Sequence, residues 1–278
     1  MRKFIVIICC FSVLCLMPML IYDEYVFRQG EYKQTVFGSE VYDAIRHSLT
    51  KYPQVKRLIM GDSVTKQLYG TGLCNDSVLS LACNQAISMA GQYFLLKDYL
   101  TTNRETLPSD IYIILYAYSI RNNLDQFAYQ YFLKPFNNEH YKPMMNTCLL
   151  HRIHKIPYYW TATRPFCRAN NYSFKYTMPE DSYHWISPIS AIYLDSIQEL
   201  TSKNGIKLHL LSNPMEDAKR DIFDLMYNLS KENLEIDKQL SLWDEYYASV
   251  TFLADSLYED HVHFYQHKIP KDYFAILK

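Results

Sequence analysis

Two short arrays in this chain hold the residue types that nucleophilic catalysis needs: Gly61-Asp62-Ser63 near the beginning and Asp260-His261-Val262-His263 near the end. A serine hydroxyl attacks a carbonyl only when a base removes its proton. That base in turn needs a carboxylate to fix its tautomer and stabilise the imidazolium that forms. In a D-x-x-H turn one short loop can present Asp260 and His263 to each other, which makes Ser63, His263 and Asp260 a candidate set. Each array alone carries little. Asp62 or Ser63 could simply cap a helix starting near Val64, and Asp260 could be a solvated acid beside two ordinary histidines. The two arrays in this order, at opposite ends of an α/β pattern, carry much more. A metal site is the competing chemistry, because His261-x-His263 on a strand puts both rings on one face, with His209 or His267 to add. The D-x-x-H array accounts for Asp260 and His263 without an ion, and no second ligand cluster accompanies them. No metal and no cofactor are therefore expected.

The elements around these arrays alternate. Residues 55–60 (VKRLIM) read as a short buried strand that ends at Gly61-Asp62-Ser63. A second apolar run, 78–83, precedes Asn84 and the helical spacing of 91–100. The run 111–118 (IYIILYAY), continuous, β-branched and aromatic, is the clearest strand of the chain. Residues 188–203 read as a helix stopped by Asn204-Gly205, followed by a strand over 206–211, the breaker Asn213-Pro214 and helical spacing over about 215–246. Strands separated by helix-length segments predict an α/β fold, a three-layer α/β/α sandwich around a central, mostly parallel sheet of flavodoxin-like kind. Reactive groups gather at the carboxyl ends of such strands. Gly61-Asp62-Ser63, Asn84, Ser119 and Asn213 all fall there.

The expected organisation is an N-terminal anchor over 1–22, a stalk over 23–40 and one domain over 41–278, with an aromatic-rich insertion around 134–187 that breaks the alternation. Phe4 to Tyr22 holds no charged residue, and at about 1.5 Å per residue it reaches roughly the thickness of bilayer hydrocarbon. Arg2 and Lys3 before it, and Asp23 and Glu24 after it, predict a single-pass protein with a cytoplasmic N-terminus and the domain outside. A cleaved signal peptide is the alternative, but no small-x-small site follows the segment. Four cysteines lie beyond the anchor, Cys74, Cys83, Cys148 and Cys167. Cys74–Cys83 and Cys148–Cys167 are the local pairings, with buried free thiols as the other possibility. A formal charge of -1 gives no reason to expect a nucleic-acid partner. The 26 tyrosines could stack on sugars, although core packing accounts for tyrosine equally well.

Gly61-Asp62-Ser63 after a strand, with Asp260 and His263 near the C-terminus and Phe264 following, resembles the SGNH/GDSL hydrolase superfamily over about residues 52–278. The resemblance implies Ser63 as nucleophile, His263 as general base and then acid, and Asp260 as its orienting carboxylate. It also implies an oxyanion hole made by the nucleophile's own N–H, a glycine N–H from a second block and an asparagine amide from a third. Those blocks depart from the family pattern. The second reads Asn84-Gln85-Ala86-Ile87-Ser88-Met89-Ala90-Gly91, with Gly91 its only glycine. The third reads Tyr118-Ser119-Ile120-Arg121-Asn122-Asn123, leaving Asn122 or Asn123 to supply the amide. An anchor followed by this domain is similar in layout to D-alanyl transfer proteins and alginate O-acetyltransferase-type proteins. The implied function is a serine esterase or O-acyltransferase acting on an acylated carbohydrate or surface polymer, beside a multispanning membrane acyltransferase. The alternative is a non-catalytic, membrane-tethered scaffold or glycan-binding protein that keeps the fold.

Overall fold

Apolar runs and helical spacings along the chain assemble into a mixed α/β structure with a mostly parallel central sheet, seen in a computed structural model. It describes residues 2–22, 36–124, 128–156, 159, 186–221, 223–224 and 240–270. Most of the insertion expected around 134–187, most of the stalk, and Cys167 lie outside the described residues.

Helix α1 (Arg2–Tyr22) is long and apolar enough to cross a membrane, and none of its apolar span is covered by the other described residues. Leu14 and Phe11, for example, are about 70% exposed. Helix α2 (Val36–Ser48) begins before the segment read as helical from 41. The sheet starts with β1 (Arg57–Gly61), whose Leu58, Ile59 and Met60 are fully buried. Asp62 caps the short helix α3 (Ser63–Tyr69), and β2 (Gly72–Asn75) and β3 (Val78–Ser80) then form an antiparallel pair. Helix α4 (Ser88–Thr102) leads to β4 (Asp110–Leu115). The run read as one strand over 111–118 breaks after Leu115, where Ala117–Arg121 winds into a tight 3₁₀ turn. Helices α5 (Thr147–Lys155) and α6 (Pro188–Lys203) precede β5 (Lys207–Ser212).

The sheet order is β2-β3-β1-β4-β5, parallel except for the edge strand β2. Burial on both sides suits the near-continuous apolar character of β1 and β4, as parallel strands require. Its register matters for the site. Arg57 stands beside Val78 on one side and Asp110 on the other, and Asp110 beside Lys207, so the four parallel strands start at one level and run towards the same edge of the sheet.

The expected helix over 215–246 is not one element. Met215–Glu216 (β6) pairs in parallel with Phe252–Leu253 (β7), and helix α7 spans Leu240–Ser249. Parallel pairing with Phe252–Leu253 and burial of Met215 and Glu216 override the helical spacing at its start. α4 packs on α6 and on α2, while α7 lies against β5. Between these elements tyrosine acts as a core residue. Tyr99, Tyr116, Tyr193 and Tyr246 are buried, and Phe94 meets Phe132, Phe136, Tyr141 and Tyr193 at 5.4–6.0 Å. Cys74, Cys83 and Cys148 are free thiols, which overturns both local disulfide pairings. Cys83 is buried, and that burial pushes its thiol pKa far up, so it behaves as a small apolar residue.

Candidate active site

The site begins with a close approach that only glycine allows. A β-carbon on Gly61 would lie 2.2 Å from the Ile114 carbonyl oxygen and 2.4 Å from Thr65 Oγ1. Gly61 therefore lets β4 and the first turn of α3 close on the end of β1, and Thr65 Oγ1 donates to that same Ile114 carbonyl at 2.5 Å. The sharp strand-to-helix turn leaves Ser63 as the first residue of α3, partly exposed.

Asp62, fully enclosed beneath it, ties the strand ends together. Its Oδ1 accepts from Val64 N at 3.0 Å, Thr65 N at 3.2 Å and Asn213 Nδ2 at 2.8 Å. Its Oδ2 accepts from Tyr116 N and from Ser119 Oγ, both at 2.6 Å. One carboxylate thus joins β1, α3, the end of β4 and the end of β5. Burial raises its pKa above the ordinary carboxylate value, opposed by the hydrogen bonds from Ser119, Tyr116, Thr65 and Val64. The cap also decides which amide is left over. Val64 and Thr65 N–H go to Asp62 Oδ1 and Lys66 N–H to the Asp62 carbonyl, whereas Ser63 N–H has no partner among the described residues.

The structure brings Ser63, His263 and Asp260 together across 200 residues of sequence. His263 Nε2 is 2.7 Å from Ser63 Oγ, and His263 Nδ1 is 2.8 Å from Asp260 Oδ2. Asp260 also accepts the backbone N–H of His263 at 2.7 Å and of Val262 at 3.2 Å. Partial burial acts to raise the Asp260 carboxyl, but the His263 N–H, the His263 ring and the Val262 N–H outweigh it and hold the pKa below the usual value. Asp260 is therefore ionised at neutral pH, with its charge directed at the imidazole. An ionised Asp260 fixes the proton of His263 on Nδ1 and leaves Nε2 as acceptor for the serine proton.

Several further residues hold this loop, of which the sequence singled out only His261 and Phe264. Tyr258 and Phe264 form an antiparallel bridge with their rings stacked at 4.6 Å, and Glu259 N donates to the His263 carbonyl at 2.8 Å. His261 adopts φ 66°, a left-handed conformation rare for a side-chain-bearing residue, and its ring lies 3.1 Å from the buried carboxylate of Glu216. Gln67, one turn along α3 from Ser63, binds the main chain of Phe264. The i, i+4 spacing of Ser63 and Gln67 was the only sequence signal available for it.

The residues expected to complete an oxyanion hole have other work. Gly91 lies in α4 against Ile87, whose β-carbon would be 2.6 Å from a β-carbon on Gly91. Asn122 donates to the Gln85 carbonyl at 2.6 Å and accepts from Leu124 N at 3.0 Å. Asn123 accepts from Ile189 N at 3.3 Å, at the start of α6. All three are buried links between elements. Ser88, the first residue of α4, has φ 55° and ψ -179°, a region almost reserved for glycine. Such strain concentrates at functional sites. His209, a candidate ligand in the metal reading, stacks on Tyr112 at 4.5 Å, with its ring nitrogens 2.6 Å from Glu245 and 3.4 Å from Asp110. Asp110 opens β4, at the opposite end of the strand from the site.

Comparison with protein-family models, with curated proteins and with solved structures gives no match.

Proposed function

We propose that this chain is a serine esterase or O-acyltransferase of the SGNH type. The observation that carries the reading is the continuous hydrogen-bonded series Ser63 Oγ to His263 Nε2 at 2.7 Å and His263 Nδ1 to Asp260 at 2.8 Å. A serine, an imidazole and a carboxylate at these separations match what acyl transfer requires. The reading also takes the sheet and its helices as a three-layer sandwich carrying the site at the carboxyl ends of the parallel strands.

Ser63 Oγ attacks the carbonyl carbon of an O-acyl group while its proton passes to His263 Nε2. The carbonyl oxygen becomes an oxyanion, and the new imidazolium is stabilised by Asp260. Collapse breaks the bond to the leaving hydroxyl, which takes the proton back from His263, and leaves an acyl-Ser63. A second acceptor, water or a sugar hydroxyl, then loses its proton to His263 and attacks the acyl carbon. Free Ser63 is regenerated with its proton returned from Nε2. Hydrolysis and transfer share every step up to that acceptor.

We further propose that α1 anchors the protein with its domain outside the cytoplasm. It would work there on acyl groups of a surface polysaccharide and in concert with a multispanning membrane acyltransferase. The charge pattern around α1 and the similarity of layout to D-alanyl transfer and alginate O-acetyltransferase-type proteins support this placement. A second reading, a non-catalytic scaffold or glycan-binding protein, draws on the commitment of Gly91, Asn122 and Asn123 to structural links. The two separate cleanly. Full-length protein in detergent is treated with a fluorophosphonate probe and assayed with p-nitrophenyl acetate, beside Ser63→Ala. Labelling and turnover that disappear in the variant support acyl transfer. A folded wild-type protein that neither labels nor turns over overturns it in favour of the scaffold.

A further inference from the structure

We infer that the side-chain amide of Asn84 is an oxyanion donor of the Ser63 site; the inference rests on the acyl-transfer reading above. The parallel ladder between β1 and β3 continues past the strands themselves. Leu81 N donates to the Ile59 carbonyl at 2.8 Å and Cys83 N to the Gly61 carbonyl at 3.2 Å. In a parallel pair the donor lies beside the residue after its acceptor. Cys83 therefore stands next to Asp62, and carrying that register one residue further brings Asn84 level with Ser63, where the chain turns into α3. Neighbouring strands are about 4.8 Å apart, so Asn84 leaves the sheet within side-chain reach of the nucleophile.

The hydrogen bonds of Asn84 leave one group free. Its Oδ1 accepts from Ala86 N at 2.9 Å, capping the turn at Gln85–Ile87. Its Nδ2 donates to nothing among the described residues, and the residue is partly exposed rather than sealed in the core. Binding the oxygen fixes the plane of the amide, so the two N–H bonds are held in place instead of rotating freely. The turn beneath is held as well. Asn122 Nδ2 donates to the Gln85 carbonyl at 2.6 Å, and Ser119 Oγ is 3.0 Å from the Gln85 side chain while donating to Asp62 at 2.6 Å. The carboxylate that caps the nucleophile's helix is thus linked through Ser119 to the residue after Asn84. Donors fixed before reaction are the ones that lower a barrier, because nothing reorganises as charge develops.

In this assignment the oxyanion formed when Ser63 Oγ adds to the carbonyl accepts from Ser63 N–H and from Asn84 Nδ2–H. Neither donor gives up its proton; the serine proton goes to His263. Asn84 takes the donor role expected of Gly91, Asn122 or Asn123, which are buried between the elements they link.

The test uses full-length protein in detergent and three variants, Asn84→Ala, Asn84→Ser and Asn84→Asp, assayed for kcat and KM on p-nitrophenyl acetate. Serine and aspartate keep an oxygen for Ala86 N, so a residue that only caps the turn would be rescued by both. A donor would be rescued by neither. The expected result is a fall in kcat of about 100- to 1,000-fold in all three, with KM changed less than about threefold. Unchanged circular dichroism in the serine variant shows that the loss is not unfolding. Serine or aspartate variants within about threefold of an active wild type overturn the Asn84 assignment alone, leaving Ser63 as nucleophile. A folded wild type with no turnover and no fluorophosphonate labelling overturns the acyl-transfer reading, and this inference with it.

Discussion

Gln67 holds the main chain of Phe264 with both ends of its amide, Oε1 accepting from Phe264 N at 3.0 Å and Nε2 donating to the Phe264 carbonyl at 3.1 Å. Gln67 lies one helical turn beyond Ser63, and Phe264 directly follows His263. The clasp therefore docks the loop bearing His263 onto the helix bearing Ser63, across 197 residues of sequence.

Loss of that clasp is expected to slow catalysis without abolishing it. Gln67→Ala should lower kcat on p-nitrophenyl acetate by about ten- to a hundredfold, the usual consequence of a small misplacement of a catalytic group. KM should stay near wild type, since Gln67 acts through position alone. Gln67→Glu keeps the acceptor for Phe264 N but loses the donor to its carbonyl, and should fall between the two. Steady-state kinetics on the three proteins decide this.

Asp260→Asn should reduce kcat by about three to four orders of magnitude, because an amide no longer dictates the His263 tautomer. The same carboxyl makes a prediction about acid stability. Its folded pKa is depressed, so its contribution is present above the unfolded value of about 3.9 and is lost as pH falls through the lower folded value. Urea unfolding should find wild type more stable than Asp260→Asn at pH 5 and the difference shrinking towards pH 3. The exposure of Asp260 keeps that difference small.

Asp62→Ala should cost stability of about 3 kcal/mol or more, because it strands several buried donors at once. Asp62→Asn should rescue only part of this. Every group facing Asp62 is a donor, namely the N–H of Val64, Thr65 and Tyr116, the Ser119 hydroxyl and the Asn213 amide. An asparagine offers them one oxygen and turns an NH₂ on the rest. Denaturant midpoints of the two variants, read beside wild type, measure the difference.

Gly61→Ala places a methyl group against the Ile114 carbonyl and Thr65. Because two of those atoms are backbone or tightly bonded, the turn must shift, at a cost of about 1–3 kcal/mol. Ser63 moves with it, so the variant should lose ester turnover as well as stability. Turnover equal to wild type would mean that the position of Ser63 does not depend on this close approach.

Full-length protein should partition with membranes and be released only by detergent, while a chain beginning at residue 36 should not be retained by α1-type burial. Fractionation of cells expressing each form tests this. Recovery of the full-length form in the aqueous fraction would argue against α1 as an anchor.

Much of the local structure was legible in the sequence, for a physical reason. A continuous β-branched run such as 111–115 has few alternatives to a buried strand, and an uncharged segment such as 4–22 has few alternatives to an apolar environment. The two arrays that meet at the site were also legible, because their chemistry is carried by residue type and short spacing. Where local signals competed, the reading was less secure. The 111–118 run ended early in a 3₁₀ turn, and 215–246 began as a short strand paired with Phe252–Leu253, with a separate helix over Leu240–Ser249.

The tertiary structure alone decided which polar groups are occupied and which are free. In sequence Asn122 and Asn123 were the expected amide donors, and Asn84 only a polar residue at the end of a strand. Asn122 donates to the Gln85 carbonyl and Asn123 accepts from Ile189 N, both buried, while the partly exposed Asn84 has no partner for its Nδ2 among the described residues. That outcome depends on strand register and on partners tens of residues away, which no local pattern encodes. The meeting of Ser63 with His263, and the Gln67–Phe264 clasp that fixes it, have the same origin. A chain's spacing specifies which groups exist. Their competition for a limited set of partners in the folded state specifies which remain available for chemistry.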